Sequence, residues 1–434
     1  MKNPWLIVAV AFMMGGPNSS CSDATMYQDK DSSREDIDSA EEVDTGTVDY
    51  DSTGGNCDTD GPEPNEDAAS IAQAITDLKP GCWYEIPNTK LEDSWHDWSG
   101  GIDPKSTAYM PTCNGLGNMH VMNGWSGGTF DTTGNRLLIN GGGHGGYGGN
   151  EIYGFDFDTF SWSEVAPPST YETIMNSVTC ADEVDYYTDG RPSSRHSYNS
   201  LVYWPAGNAM CALGHAAPFA NGQQRYPHRD CYDFDDNQWT TITPLPHANK
   251  SATALDSEGD IWILGRESER KLYEYDALNG TWEVRYPNQI GEGWPVYAIT
   301  AVDTANDILV SVGIGHYFAF DISSYDANGY VKLISSTSTG DQTIVNSEHP
   351  TLAYDTVSDK LLGWSGHGST VYALDTTTHQ WTAVNAAPGN VVEPTDEAQW
   401  GTYGRWQYVP DLNVFCVVNR TSENVYVYRY SNDS

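Results

Sequence analysis

The sequence has few basic residues and few segments with a helical pattern. It carries 21 Lys and Arg against 60 Asp and Glu, so its formal net charge is −39. A nucleic-acid partner needs a basic face that pairs with phosphates, so this charge balance argues against nucleic-acid binding. Segments with the 3.6-residue period of an amphipathic helix are scarce, which argues against a helical fold.

A long apolar run is also missing, and the apolar run nearest the start covers only residues 5–14. It is too short to span a bilayer as a lasting helix, and it follows Lys2 as the apolar part of an export signal follows a charged start. Asn-Ser-Ser-Cys21 comes next and resembles the end of a bacterial lipoprotein signal, although an aliphatic residue is usual where Asn18 stands. We expect residues 1–21 to direct export and Cys21 to be lipidated. Ordinary secretion is the alternative.

Large aliphatic side chains are almost absent from residues 22–70, which are acidic and rich in Ser, Thr and Gly. Such a segment cannot bury enough apolar surface to become ordered. We therefore expect a disordered acidic linker here and a globular head over residues 80–434. The expected location is the outer membrane or cell surface, with the membrane reached only through the lipid at Cys21. The head is expected to be a monomer.

The chain has eight cysteines but no CxxC pair, so the spacing typical of a zinc finger is missing. An exported chain can form disulfides. Cys211 and Cys231 flank one predicted hairpin and are expected to pair. Cys113 and Cys180 lie in long insertions and could form a second pair.

Glycine and aromatic residues are abundant, with 42 Gly, 27 Tyr and 15 Trp, and this composition favours short strands joined by turns. One pattern recurs: an apolar strand ends in Gly, and an aromatic-x-apolar-Asp segment then leads to a Trp or a degenerate equivalent. The five copies of the segment that ends in Asp are residues 153–156, 232–235, 273–276, 318–321 and 372–375. A further strand precedes each copy, so each unit contains four short antiparallel strands, which is typical of a propeller blade.

The sixth copy, over residues 404–430, has no tryptophan strand at its end. Residues 81–87 supply a similar strand, and pairing it with the last copy would satisfy the open strand edges. We therefore predict an all-β fold, a single β-propeller of six four-stranded blades whose last blade is closed by an N-terminal strand. Seven blades are the alternative if residues 90–120 contain another unit.

The repeat resembles the Kelch motif of galactose-oxidase-type propellers, in which glycines end the second strand and a tryptophan marks the fourth. The resemblance covers roughly residues 80–431. It implies a propeller whose loops between second and third strands open on the face that usually binds ligands, but it implies no particular activity. The copper site of galactose oxidase has no convincing copy here, since His316-Tyr317 has the wrong order.

Basic side chains recur at that loop, directly or closely after the strand-ending glycine. They are His144, His215, Arg266, His316, His367 and Arg420. The loops that lead into each blade should open on the same face. They add Trp125, Arg195, His196, His349 and Arg405. Each histidine could instead bind the neighbouring blade, and for Arg266 and Arg420 we expect ion pairs between blades.

Histidine, tyrosine and arginine together suit β-elimination of uronic acids in an extracellular anionic polysaccharide. Such a lyase neutralises the substrate carboxylate, removes the C5 proton and protonates the leaving oxygen. We assign the first role to Arg195, the second to His144 or His196, and the third to Tyr147 or Tyr198. Trp125, Arg266, His349, His367, Arg405 and Arg420 are expected to contact the substrate.

Two other functions fit the same residues. Converging imidazoles such as those of His215 and His316 could bind a divalent metal ion, namely Zn, Mn, Ca or Cu. The propeller could also bind a glycan or a protein without catalysis, because a fold does not determine a function.

Overall fold

The computed structural model describes residues 57, 67–94, 121–122, 124–142, 147–177, 184–213, 230–243, 252–265, 271–276, 279–288, 297–398 and 401–431. These residues form six sheets of a β-propeller, and short helices lie between them. The α-helices are α1 (Ala68–Asp77), α2 (Tyr171–Ser177) and α3 (Thr343–Asn346). Single 3₁₀ turns cover Leu91–Asp93, Pro205–Gly207, Tyr403–Arg405 and Pro410–Leu412. Within the described part of the chain, no helix has both the length and the apolar character that a membrane span requires.

The strands follow the chain from blade to blade. β1 (Trp83–Ile86) comes first and belongs to the last blade. Blade one contains β2 (Gly127–Asp131), β3 (Arg136–Asn140), β4 (Ile152–Asp156) and β5 (Ser161–Ala166). Blade two contains β6 (Leu201–Trp204), β7 (Ala209–Ala212), β8 (Asp230–Asp233) and β9 (Gln238–Thr241). Blade three contains β10 (Ala252–Leu255), β11 (Ile261–Leu264), β12 (Leu272–Asp276) and β13 (Thr281–Tyr286).

The second half of the ring repeats this order. Blade four contains β14 (Ile299–Asp303), β15 (Ile308–Gly313), β16 (His316–Asp321) and β17 (Lys332–Ser335). β18 (Thr339–Gly340) adds a fifth, parallel strand to the outer edge of blade five. The other strands of blade five are β19 (Ala353–Asp355), β20 (Lys360–Trp364), β21 (Val371–Asp375) and β22 (Gln380–Val384). Blade six contains β23 (Gln407–Val409), β24 (Val414–Val417) and β25 (Val425–Tyr428), and β1 is its outer strand.

The closing strand confirms the prediction of six blades. β1 pairs antiparallel with β25, with Trp83 opposite Tyr428 and Ile86 opposite Val425. Cys82, just before β1, forms a disulfide with Cys57. The chain that precedes the propeller is therefore covalently fastened to the strand that closes it.

The inner strand of each blade begins on one face of the ring and ends in a tight turn on the other. Asp131 shows how the turn forms, since its carboxylate accepts hydrogen bonds from the backbone N–H groups of Thr133 and Gly134. Asp303 and Asp355 accept the same pair of bonds in blades four and five. Short polar side chains favour such turns because they bind the backbone locally.

The six inner strands, β2, β6, β10, β14, β19 and β23, contact one another in order around a central channel. The channel holds a cavity of about 290 Å³ that these strands line. The lining extends from the turns at Thr132 and Pro205 to Asn199 and Gly404. These last two residues directly follow Tyr198 and Tyr403, so the cavity reaches the face on which the inner strands begin.

One of the two cysteine predictions can be compared with this structure. Cys211 and Cys231 lie opposite each other on β7 and β8 and form a disulfide, as predicted. Cys113 and Cys180 lie outside the described residues. Among the outer-strand tryptophans, Trp381 is buried beside Leu374 in the apolar cluster that joins blades four and five.

Candidate functional site

Five blades place an aromatic or imidazole side chain at one shared position. Each of these residues lies ten positions before the last residue of the turn that joins the first and second strands of its blade. That turn residue has a positive φ. The pairs are Trp125 with Asn135, Tyr198 with Asn208, Tyr297 with Asp307, His349 with Asp359 and Tyr403 with Asn413. The corresponding position of blade three lies outside the described residues. Equal spacing from an equivalent turn places the five side chains at the same level of the ring.

These side chains meet one another at the face where the inner strands begin. The ring centroids of Tyr198 and Tyr403 are 5.5 Å apart, and those of Tyr198 and Tyr297 are 5.8 Å apart. His349 lies 5.0 Å from Tyr297 and 5.7 Å from Tyr403. Because the residues come from blades two, four, five and six, their contacts cross the ring. The group of Trp125, His196, Tyr198, Tyr297, His349 and Tyr403 is called the mouth cluster below.

Three residues of the cluster have a strained backbone. Trp125, Tyr198 and Tyr403 have φ values of 55°, 43° and 51°, in the left-handed region that favours glycine. Such strain persists only where surrounding contacts impose it, and it is common at ligand sites. Here the backbone N–H of Tyr198 donates to the carbonyl of Trp125, so the strained residues of two blades hold each other.

His196 and Tyr198 form a hydrogen-bonded imidazole–phenol pair. Nδ1 of His196 lies 2.8 Å from the hydroxyl of Tyr198. The indole of Trp125 stacks on the imidazole with 4.3 Å between centroids, which holds the ring in place. The two side chains are 2% and 4% exposed. A histidine bonded to a phenol can transfer a proton through it, so the pair has the chemistry of a general acid–base element.

Tyr403 is the most deeply buried member of the cluster. Burial raises the pKa of Tyr403 well above its usual value, the neighbouring phenols and Glu397 raise it further, and the charge of Arg405 opposes them. The phenol is therefore neutral near pH 7. Its hydroxyl accepts or donates no hydrogen bond among the described residues.

Arg195 and Arg405, the two buried arginines that the sequence assigned to the substrate, bind the protein itself. Arg195 makes an ion pair of 3.1 Å with Asp230 and also donates to the carbonyl of Ser193. Arg405 is fully buried and donates to three carbonyls, those of Ser126, Val418 and Gly401. Desolvation lowers the pKa of Arg405 to about 10, so it stays charged. Both guanidiniums join separate chain segments. Their N–H groups donate to oxygens of the protein, not to a substrate.

A polar rim lies beside the cluster, where blades five and six meet. His349 Nδ1 lies 3.2 Å from Glu397 Oε1, and His367 Nδ1 lies 3.2 Å from Asp396 Oδ1. His367 is on the loop between β20 and β21, whereas the two carboxylates precede β23. This histidine therefore does link neighbouring blades. We call His349, His367, Asp396 and Glu397 the rim.

Arg420 lies behind the rim and contacts its own blade. It donates to Glu423, 2.7 Å away, and to the backbone carbonyl of Glu397 at 3.1 Å. Both partners belong to segments that flank the strands of blade six, so the ion pair is not the one between blades that the sequence suggested.

Tyr147 was expected to protonate the leaving oxygen of a substrate, but its hydroxyl binds a residue of the protein. Its hydroxyl donates to the buried carboxyl of Glu151. Burial raises the pKa of Glu151 to about 7, so this carboxyl carries a proton over part of the neutral range. Tyr147 packs in an apolar cluster with Met122 and Phe157.

The predicted metal pair is described only in part. His316 begins β16 and stacks on Phe318 with 6.1 Å between centroids. His144, His215, Arg266 and Cys21 lie outside the described residues. Asp256, Asp260 and Glu274 bring carboxylate oxygens within 4.8 Å of one another, but Glu274 is occupied by Arg285 and Tyr325.

Sequence reasoning missed three residues that the structure places at the mouth: Tyr297, Tyr403 and Glu397. The first two follow the ten-residue spacing to the turn, so a comparison of turns across the copies would have found them. Glu397 has no equivalent in other blades and no local motif. Its position depends on where the long segment between β22 and β23 runs over blade five.

Comparisons with known proteins identify no family for this chain. No family model matches it, and no curated protein sequence matches it either. The structure shows a six-bladed propeller, and the Kelch resemblance rests on the repeat residues alone.

Proposed function

We propose that this propeller is an exported, surface-tethered protein that acts on an extracellular anionic polysaccharide and cleaves it by β-elimination. The observation that carries the proposal is the mouth cluster, where an imidazole–phenol pair lies among aromatic rings from several blades. Aromatic faces suit sugar rings, and the pair suits proton transfer.

Two disulfides support export. Cys57–Cys82 and Cys211–Cys231 are both formed. Disulfides persist in oxidising compartments outside the cytoplasm and are rare inside it. They agree with the export signal expected over residues 1–21. Replacing Cys21 by Ser should release the protein from the membrane fraction, whereas unchanged fractionation would remove the lipid anchor from the proposal.

The proposed reaction uses His196 and Tyr198 as its proton-transfer element. The pair takes the C5 proton of a uronate, the electrons of that C–H bond form the C4–C5 double bond, and the C4–O bond breaks. The leaving oxygen keeps the bonding electrons and takes a proton back from the pair. His196 orients the phenol, and the stacked Trp125 restrains His196.

The test is the formation of an unsaturated product. The wild-type protein should generate the absorbance of a C4–C5 double bond from at least one polymer in a panel of polyuronates, and none from matched neutral polymers. The double variant of His196→Ala with Tyr198→Phe should generate none. A wild-type protein that yields no unsaturated product from any polyuronate overturns the lyase proposal.

The second candidate is a glycan-binding propeller without catalysis. The burial of His196 and Tyr198 favours it, because a packed floor can position a binding surface without touching a ligand. The accessible groups are then at the rim, where the side chain of His367 is 60% exposed. This candidate predicts saturable binding of an oligosaccharide that stays intact and is recovered unchanged.

A further inference from the structure

Glu397 brings a carboxylate to the edge of the mouth cluster. Its Oε1 lies 3.2 Å from Nδ1 of His349, and the His349 ring contacts the rings of Tyr297 and Tyr403. The side chain of Glu397 is 18% exposed, and its Oε2 is buried with no hydrogen-bond donor among the residues that the structure describes. The protein therefore satisfies this negative charge only in part, and the charge acts on a ligand in the mouth.

The backbone holds Glu397 in this place. Its N–H donates to the carbonyl of Gly366 at 2.7 Å, and its own carbonyl accepts a hydrogen bond of 3.1 Å from Arg420. Gly366 has a φ of +86°, and a Cβ there would lie 3.1 Å from the carboxylate carbon of Glu397. The carboxylate thus packs closely against the loop between β20 and β21, which keeps it beside the cluster.

Arg405 brings the opposite charge to the same phenol. Burial is the main cause of the raised pKa of Tyr403; Glu397 raises this pKa further and Arg405 opposes it, so both charges reach the phenol. Burial lowers the pKa of Arg405 to about 10, and Glu397 acts against this change, as a nearby opposite charge does. The Glu397 carboxylate therefore offsets the positive charge of Arg405 at the floor of the mouth.

The two forms of a uronate place different demands on such a floor. Removal of the C5 proton moves negative charge onto the oxygens at C6. A free carboxylate already carries one negative charge there, so its elimination needs a cation whose charge is available to the substrate. A methyl ester carries no charge, and its carbonyl oxygen accepts the developing one. A floor whose positive charge is already offset therefore suits the ester better than the free acid.

We propose that Glu397 determines substrate specificity, and that it makes the mouth cleave at uronate residues whose carboxyl group is a methyl ester in preference to residues with a free carboxylate. The inference rests on the proposed β-elimination and narrows its substrate class. A partly esterified polyuronate is still anionic along its free residues. The C5–H and C4–O bonds break, the C4–C5 double bond forms, the leaving oxygen takes the proton, and the ester bond stays intact.

The test compares one polyuronate in two forms, as the methyl ester and after the methyl groups have been removed. Formation of the unsaturated product gives kcat/KM for each form. The assays use 0.15 M salt, where the screening length of about 8 Å limits repulsion by the net charge of −39. The wild-type protein should cleave the esterified form at least tenfold more efficiently than the free acid.

Glu397→Gln removes the charge and keeps the shape of the side chain. The charge of Arg405 is then no longer offset, so the preference for the ester should fall at least tenfold through a gain on the free acid. Glu397→Asp keeps the charge and should retain the preference. Asp411→Asn is the matched control, because it removes one negative charge from an exposed turn of the same blade on the opposite face. It should keep the wild-type ratio.

The ratio of the two kcat/KM values separates specificity from folding, since a folding defect lowers both values together. A wild-type protein that cleaves both forms equally, or prefers the free acid, overturns the role of Glu397 and leaves the lyase proposal standing. A Glu397→Gln protein with the wild-type ratio has the same meaning. A wild-type protein that forms no product from either form overturns the lyase proposal and this specificity with it.

Discussion

The phenol rings of Tyr198 and Tyr403 meet edge to face, with 5.5 Å between their centroids and planes at 89°. They come from blades two and six, which are separated by blade one. Each has a positive φ, and each stands ten residues before the residue that ends its first turn. The contact therefore reflects the symmetry of the ring, since equivalent positions on different blades converge on its axis.

Loss of the Tyr198 hydroxyl should reduce turnover more than binding. In Tyr198→Phe the ring packing stays, but the hydrogen bond to His196 is lost, so kcat on a polyuronate should fall about 10²- to 10⁴-fold with KM changed little. The matched control is Tyr317→Phe, which removes the hydroxyl of another tyrosine–histidine pair, Tyr317 with His379 at 2.9 Å. Equal losses in both variants would show that the effect is structural.

The disulfide at the closing strand should contribute strongly to stability. Cys57 and Cys82 are 25 residues apart, and a loop of that length corresponds to about 3.5 kcal/mol of unfolded-state entropy. Cys57→Ser should lower the free energy of unfolding by that amount, measured by denaturant titration. It should also speed proteolysis near β1, which loses its covalent fastening.

The second disulfide is the control for that experiment. Cys211 and Cys231 are 20 residues apart, so their loop entropy is similar, but they join neighbouring strands within blade two. Cys211→Ser should lower stability without exposing β1 to protease. Early cleavage near β1 in both variants would contradict the closing role of Cys57–Cys82.

Protonation of Glu151 should make stability depend on pH. Its pKa is raised from 4.5 to about 7 by burial, so between these values the folded protein holds a proton that the unfolded chain has lost. Glu151 therefore makes its full contribution to the free energy of unfolding below about pH 4.5. The free energy of unfolding then falls by about 3 kcal/mol as the pH rises to 7. Glu151→Gln, which stays neutral, should remove this slope in denaturant titrations at several pH values.

An exposed glutamate provides the comparison. Glu172 lies on α2 and is exposed, so Glu172→Gln should keep the wild-type slope. The neighbouring Glu164 also has a pKa raised to about 7, by burial first and by Glu151 second, so it adds to the slope in the wild type. A Glu151→Gln protein with the full wild-type slope would contradict the assignment.

Salt should speed the reaction on a charged polymer. The net charge of −39 repels a polyuronate at long range, and the screening length shortens from about 30 Å at 0.01 M salt to about 8 Å at 0.15 M. We expect kcat/KM on a polyuronate to rise over this range, and to change little on its methyl-esterified form. A rate that falls with salt would mean that attraction by basic groups guides the substrate.

The fold could be predicted because its signal is periodic. The Tyr153-to-Asp156 and Tyr372-to-Asp375 segments became β4 and β21, and each leads to an outer strand with a buried tryptophan. The closing strand could also be predicted, since an incomplete last copy must find a partner. Local pattern and the need to pair strand edges were sufficient for these features.

The site could be predicted only in part. Tyr198 and His349 were recognised from the loops that lead into blades, but Arg195 and Arg405 were assigned to the substrate because the sequence does not show their partners. Asp230 and the carbonyl of Ser126 are distant in the chain from Arg195 and Arg405 respectively, and only the folded ring brings them to these guanidiniums. A charged side chain at the right level of the ring can therefore bind the protein or a ligand, and sequence alone does not distinguish the two.

The most direct measurement is the crystal structure of the Tyr198→Phe variant with a uronic-acid oligosaccharide bound. The account predicts a sugar ring over the mouth cluster, on the face where the inner strands begin. An oligosaccharide bound on the opposite face, at the turns around Thr132 and Pro205, would contradict it.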